Sequence, residues 1–286
     1  MTKRITSGIV CSLILIAVMF LSTVWPFSLN LSVALVSFFS VYEIIALKKE
    51  QKLNSLAIIS YIFSAVRPII GPGVRWHLAI YIYTIACFII SMGRFVKNKK
   101  RIPEEQKSVW NVCFIFFLNI VISVALGTIV ELRNFGKRFD IGESFGIFLS
   151  LLSLGIAWLC DIGAYFFGKK FGKNKLCPYI SPKKTVEGAV GGMISSFVYA
   201  FLFCFFWQYV FKIYNINYFT IAGVAILGGP IAILGDLCFS LIKRLLCVKD
   251  FGEIIPGHGG VLDRFDSVIF VSPFVFIFLH IFDIVR

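Results

Sequence analysis

A run of ionisable residues stands between two long apolar stretches: Lys243, Arg244, Lys249, Asp250, Glu253, His258, Asp263, Arg264 and Asp266. The cations can hold phosphates, arginine in a bidentate manner. The carboxylates can hold a hard divalent cation such as Mg²⁺. Together they suit phosphoryl or nucleotidyl transfer at a membrane surface, where a metal neutralises charge on the attacked phosphorus and the leaving group. Asp263 and Asp266 are three residues apart and share a helix face if a helix starts near Gly260. Asp236 ends the glycine-rich run 228–236 in the preceding apolar stretch. Asp236, Asp263 and Asp266 are the expected metal ligands. The competing reading is an ion pair of Asp263 or Asp266 with Arg264 or Lys243. Asp263→Asn separates the two: a metal ligand loses activity with the fold intact, whereas one partner of a buried pair costs the fold.

Between these carboxylates, Gly257, Gly259 and Gly260 let backbone N–H groups approach an anion. His258 is a candidate phosphate donor or proton shuttle. Asp250 and Lys249 are supporting candidates. His77 and His280 lack polar company and read as structural.

A second region begins at Trp158 and Asp161 and continues through Ser181-Pro182-Lys183-Lys184-Thr185, Glu187 and Gly188. Thr185 can cap a helix start and Glu187 favours its positive end. That local role does not explain Ser181, Lys183 and Lys184, which would meet phosphate at a helix N-terminus. Asp161 lies near the end of an apolar stretch, where an unpaired carboxylate is costly. Asp161, Ser181, Lys183, Lys184, Thr185 and Lys249 are the expected substrate contacts.

These segments must be positioned by membrane helices. Of 286 residues, 58% are hydrophobic and only 15% charged, against about 45–50% and about 25% in soluble domains. Mean hydropathy is +0.88. Stretches near 7–25, 28–47, 54–72, 76–93, 109–130, 145–167, 188–211, 218–240 and 266–284 are apolar enough to span a bilayer, so the expected fold is an all-α polytopic bundle of about nine helices. Residues 54–72 contain Arg67-Pro68, and 266–284 contain Pro273 and His280. The first stretch follows Lys3-Arg4 without a small-residue cleavage site and reads as a helix, not a removed signal. The hydrophilic segment 94–108 separates N-terminal transmembrane helices (1–108) from a C-terminal transmembrane catalytic region (109–286). Basic residues favour alternate loops, although 131–144 holds Arg133, Lys137 and Arg138. This places the N-terminus and the loops 168–187 and 241–265 on the cytoplasmic side.

The formal net charge of +13 belongs to these loops, which set topology and meet anionic headgroups, and nucleic acid is not an expected partner. The eight cysteines show no C-x-x-C pair and no zinc spacing, so neither disulfides nor zinc are expected. Glu43 and Arg67 are the lone charges of the N-terminal spans and could snorkel to an interface or pair inside the bundle.

The order Ser240, Lys243-Arg244, Lys249-Asp250, Gly252, Pro256, His258-Gly259-Gly260, Asp263-Arg264, Asp266 resembles the signature of phosphatidate cytidylyltransferases, the CDP-diacylglycerol synthases. Asp161-x-x-Ala-Tyr165 and Ser181-Pro-x-Lys-Thr-x-Glu-Gly resemble the same family. The specific resemblance covers residues 155–285. Many members place Glu before the opening serine, whereas here Phe239 stands, so no essential role carries over to that position. A Glu often found near the cytoplasmic end of the family's second helix matches Glu43, which would support the site from behind.

The resemblance implies transfer of CMP from CTP to phosphatidic acid, giving CDP-diacylglycerol and pyrophosphate, with Mg²⁺ as cofactor. It also makes a homodimer an expectation. Asp236, Asp263 and Asp266 would hold metal. Lys243, Arg244, Ser181, Lys183, Lys184 and Arg264 would hold phosphates. Three rivals remain. CDP-alcohol phosphatidyltransferases open with Asp-Gly-x-x-Ala-Arg, which is absent. A CTP-dependent lipid kinase would release CDP. A transporter needs polar groups near the midplane with access from both sides, whereas these charges gather near one face.

Overall fold

The computed structural model describes residues 2–47, 55–70, 104–138, 143–211, 216–255, 257, 259–282 and 284. In chain order the elements are α1 (Thr2–Val24), α2 (Phe27–Ala46), α3 (Ser55–Ile70), α4 (Glu104–Arg138), α5 (Glu143–Phe171), β1 (Lys175–Cys177), β2 (Ser181–Thr185), α6 (Val186–Phe211), α7 (Tyr218–Leu245), α8 (Leu262–Phe265) and α9 (Val268–Ile281). Among the described residues, six helical stretches are long and apolar enough to cross a membrane: Phe27–Ala46, Phe117–Gly136, Ser144–Phe171, Val186–Val210, Tyr218–Leu245 and Leu262–Ile281. The chain is an all-α, multi-pass membrane protein carrying one small β-hairpin. Helices α1 and α3 occupy the expected stretches 7–25 and 54–72. The stretch 76–93 lies outside the described residues.

Two features depart from the sequence expectation. The first is the length of α4, which continues to Arg138 where a loop was expected from 131. Glu131 and Arg133 are buried on this extension. Arg133 Nη2 donates to the Ser22 carbonyl at 2.6 Å, near the end of α1, where helix carbonyls lack intrahelical partners. Arg67 of α3 lies within electrostatic range of Glu131. These charges therefore join the far ends of α1, α3 and α4 instead of forming a solvated loop.

The second is the hairpin. Proline disfavours the helical region for the residue before it, so Ser181 enters Pro182 extended. β1 and β2 pair antiparallel, Lys175 with Thr185 and Cys177 with Ser181, with a bulge between. The pleat turns alternate residues to opposite sides. Lys183 is exposed, while Lys184 is half-buried against the bundle.

Helices α5 and α6 approach closely because glycines line their contact. A Cβ on Gly163 would lie 2.1 Å from Ser195 Oγ, and one on Gly192 would lie 2.6 Å from the Cys160 carbonyl. Without a hydrophobic force between helices in lipid, such small-residue contacts are what bring backbones together.

Candidate active site

The site gathers from the C-terminal halves of α2, α5 and α7, the β-hairpin, and the start of the last span. That span begins at Leu262. Asp266 (φ −57°, ψ −47°) and Ser267 (φ −69°, ψ −36°) keep helical backbone between α8 and α9, so Asp263 and Asp266 sit on one continuous turn.

The two aspartates nevertheless reach different surroundings. Asp263 Oδ2 accepts from the backbone N–H of Phe251 (2.9 Å) and of Gly260 (3.0 Å). Its Oδ1 accepts from Lys243 Nζ at 2.9 Å. The Asp263 side chain is 4% exposed, so it is an enclosed knot joining α7, the loop and the last span. Lys243 also lies 5.5 Å from the Phe251 ring centroid. Phe251 packs edge-on against Phe239 at 6.0 Å, and Phe239 meets Phe270 at 6.4 Å. Phe239 thus supports the loop by packing.

Asp266 turns instead toward α5 and α7. Gly235 packs directly on this turn: a Cβ there would come 3.1 Å from the Asp266 carbonyl. Next to it, Asp236 accepts from Ser240 Oγ at 3.2 Å and pairs with Lys184. Asp161 Oδ2 accepts from Ser267 Oγ at 2.9 Å. The Trp158 indole donates to the Arg264 carbonyl at 2.9 Å, and its ring meets Phe265 edge-on at 5.9 Å. Asp161 and Asp236 feel each other's charge, and Asp266 feels both. Lys243 is within range of Asp263, Asp266 and Asp236, and Arg264 within range of Asp161.

Among the described residues, no three His, Cys, Asp or Glu side chains stand at metal-ligand spacing. Asp161, Asp236 and Asp266 lie within electrostatic range of one another, with Asp161 bonded to Ser267 Oγ, Asp236 to Ser240 Oγ and Lys184, and Asp266 to the Ser267 N–H. The donors are all oxygen, which suits a hard cation. Mg²⁺ commonly takes only one or two carboxylates, with waters and substrate phosphates completing its shell, so this set fits it.

The remaining candidates spread around this centre. Thr185 is buried and its hydroxyl accepts from Gly188 N–H at 3.1 Å, as the N-cap of α6. Glu187 accepts from the backbone N–H of Lys173 (3.0 Å) and Asn174 (3.1 Å), fixing the turn after α5. Ser181 is partly buried on the hairpin. Arg244 Nε donates to the Ile180 carbonyl at 3.2 Å, tying the hairpin turn to the end of α7. Lys249 and Asp250 are exposed. His258 lies outside the described residues.

α7 stops just after Arg244. Val248 N–H bonds the Lys243 carbonyl at 2.9 Å and Cys247 N–H bonds that of Arg244 at 3.1 Å. This is a Schellman ending with Cys247 at φ 58°, where glycine is usual.

Sequence reasoning underrated Glu43. It is buried near the end of α2, and its carboxylate accepts from Val261 N–H (2.8 Å) and Leu262 N–H (2.9 Å). Its signal in the sequence was a carboxylate isolated in an apolar span, a costly residue that needs a partner. The partner is backbone, which no residue pattern announces.

A sequence model described as the cytidylyltransferase family matches residues 2–282. This chain belongs to the cytidylyltransferase family. It is similar to a phosphatidate cytidylyltransferase of Staphylococcus aureus (strain COL), with 33% identity over 274 residues, covering 93% of this chain and 97% of the relative. A phosphatidate cytidylyltransferase of Staphylococcus haemolyticus (strain JCSC1435) is 35% identical over 260 residues, covering 89% and 93%. One of Bacillus subtilis (strain 168) is 40% identical over 171 residues, covering 60% and 59%. The enzyme is therefore a nucleotidyltransferase of the membrane, and both charged segments lie inside the matched region.

Proposed function

We propose that the chain transfers CMP from CTP to phosphatidic acid, forming CDP-diacylglycerol and releasing pyrophosphate. The observation that carries this reading is the pairing of a near full-length match to phosphatidate cytidylyltransferases with a carboxylate cluster flanked by Lys184, Lys243 and Arg264. A phosphatidate oxygen attacks the α-phosphorus of CTP, and the bond to the β-phosphate oxygen breaks in line. The lipid phosphate is already a nucleophile, so no covalent enzyme intermediate is required. The protein positions the two phosphates and neutralises charge.

Asp236 and Asp266 would hold Mg²⁺, with Asp161 the third carboxylate of the set. Asp263 would act by fixing Lys243 and the loop, since its oxygens already accept from Lys243, Phe251 and Gly260. Bound Mg²⁺ supplies charge neutralisation on the triphosphate. Lys183 and Arg264 face the surface from which a soluble nucleotide arrives. Lys184 and Lys243 sit deeper, beside the carboxylates. Ser181, Arg244 and Lys249 complete the phosphate-facing surface, and Thr185 shapes it from the start of α6; His258 remains a proposed phosphate donor from the sequence alone.

The finer topology belongs to the same proposal: nine spans, with the N-terminus and both charged loops in the cytoplasm. Cysteines introduced at residues 175 and 249 should be labelled from the same side, and labelling from opposite sides defeats it. The homodimer is likewise proposed.

The deciding assay uses purified protein, CTP labelled at the α-phosphate, and phosphatidic acid vesicles. Labelled lipid and free pyrophosphate in equal amounts are expected. Release of CDP with no label in lipid would identify a CTP-dependent lipid kinase instead.

A further inference from the structure

Glu43 is the point at which the N-terminal helices enter the site. Its two oxygens accept from two successive backbone N–H groups, Oε1 from Val261 at 2.8 Å and Oε2 from Leu262 at 2.9 Å. The preceding N–H, of Gly260, goes to Asp263 Oδ2 at 3.0 Å. Three consecutive donors at the start of the last span are thus held by two carboxylates, where the helix dipole favours negative charge. The slot around Glu43 is built for it. A Cβ on Gly260 would lie 2.5 Å from Glu43 Oε2, and one on Gly252 would lie 2.6 Å from Oε1. Both glycines come from the charged loop, so that loop closes over the Glu43 carboxylate.

We propose that Glu43 is a positioning residue of the reaction: by gripping the N–H groups of Val261 and Leu262 it sets the height and rotation of the last span, and so aims Asp266 at Asp161 and Asp236. Asp266 lies one helical turn beyond Leu262, so a shift of that first turn passes directly to its carboxylate. α2 contributes no group to the carboxylate cluster itself; Glu43 acts through the backbone of the last span. The proposal rests on the reading of Asp266 as a group that meets the metal.

The test is Glu43→Gln in the full-length protein, purified in detergent. The amide keeps the size but turns an N–H₂ toward one of the two N–H donors. The variant should purify monodisperse with a cooperative melt. Its kcat should fall about tenfold, the lower end for losing a charge-assisted hydrogen bond, with CTP KM nearly unchanged. Binding of Mn²⁺ to the protein without substrate, read by electron paramagnetic resonance, should weaken about fivefold, less than a direct ligand loss would cause. Gly260→Ala, which pushes on the same carboxylate, should change kcat in the same direction. The double variant should be no worse than the poorer single, because both act on one contact.

Wild-type kcat and Mn²⁺ binding in Glu43→Gln would overturn the proposal, as would effects of the two substitutions that simply multiply. If Glu43→Gln yields no folded protein, Glu43→Asp carries the same measurements. If neither folds, Glu43 serves folding alone and the proposal falls. Asp266→Asn run alongside keeps the two readings apart: should it retain full activity and Mn²⁺ binding, the metal reading has failed, whatever Glu43 does.

Discussion

Two neighbouring groups of carboxylates are satisfied in opposite ways. Glu43 and Asp263 accept four backbone N–H groups and one ammonium between them. Among the described residues, Asp161, Asp236 and Asp266 accept from the Ser240 and Ser267 hydroxyls, from Lys184 and from the Ser267 backbone N–H, which lies 2.8 Å from Asp266. Backbone donors stay in place as long as the fold does. Hydroxyls rotate and lysine side chains swing away within nanoseconds. On the proposed reading the first group is scaffold, and the second exchanges its partners for a cation. The difference teaches that carboxylates of like type and spacing can differ in the nature of their hydrogen-bond donors, and it is on the donors that the proposed roles rest.

The sharpest way to break this comparison is Asp266→Asn. It removes a charge from a cluster of like charges, so the fold should survive in the absence of metal. Activity should fall at least about a hundredfold, since a metal supplies several kcal/mol of charge stabilisation and each 1.36 kcal/mol is a decade. Turnover close to wild type at saturating Mg²⁺ would place Asp266 with the scaffold.

Asp263→Asn should fail in the other direction. Its amide leaves Lys243 without its partner carboxylate and sets an N–H₂ against a knot of donors. Breaking a buried pair from one side costs about 3–5 kcal/mol, so the loss should show first in melting temperature and yield. A variant that melts like wild type yet is inactive would return Asp263 to the metal-binding group, the assignment its spacing from Asp266 first suggested.

The sequence reveals these two groups unequally. The apolar stretches announced the helices, because lipid requires about twenty apolar residues whatever the packing. Lys184 and Asp236 were both singled out, yet their pairing was not, since it depends on a hairpin whose pleat turns Lys184 inward and Lys183 outward. Pro182 was the visible cause of that extended segment. Asp161 was placed near the substrates, but its bond to Ser267 across 106 residues has no local signature. The extension of α4 past residue 130 was hidden because Glu131 and Arg133 look like loop residues until Ser22 and Arg67 are brought beside them.

Lys184 offers a smaller, two-sided test. It occupies Asp236 as a cation would. Lys184→Gln should tighten metal binding by up to about fivefold, the scale of a partly exposed ion pair. At the same time kcat/KM for CTP should fall, if Lys184 leaves Asp236 to hold phosphate. Weaker metal binding in that variant would show Lys184 to be fixed structure, and would move Asp236 toward the scaffold group.

The smallest effect separates substrate contact from topology. Lys183→Gln removes one positive charge from the loop 168–187, and Lys99→Gln removes one from the hydrophilic segment 94–108, which follows the fourth apolar stretch and faces the same side under the nine-span expectation. Orientation depends on summed loop charge near the spans, so a purely topological role makes the two variants alike. Lys183 lies on the exposed face of β2, next in sequence to the lysine that pairs with Asp236. There a lysine can reach a phosphate, though water screens the contact. The expected loss in kcat/KM for CTP is about tenfold for Lys183→Gln, the lower end for a hydrogen bond to a charged group, and less than about twofold for Lys99→Gln, as for an ordinary surface substitution. Equal and mild effects would leave the hairpin's outer face with topology alone and confine nucleotide binding to the deeper lysines, Lys184 and Lys243.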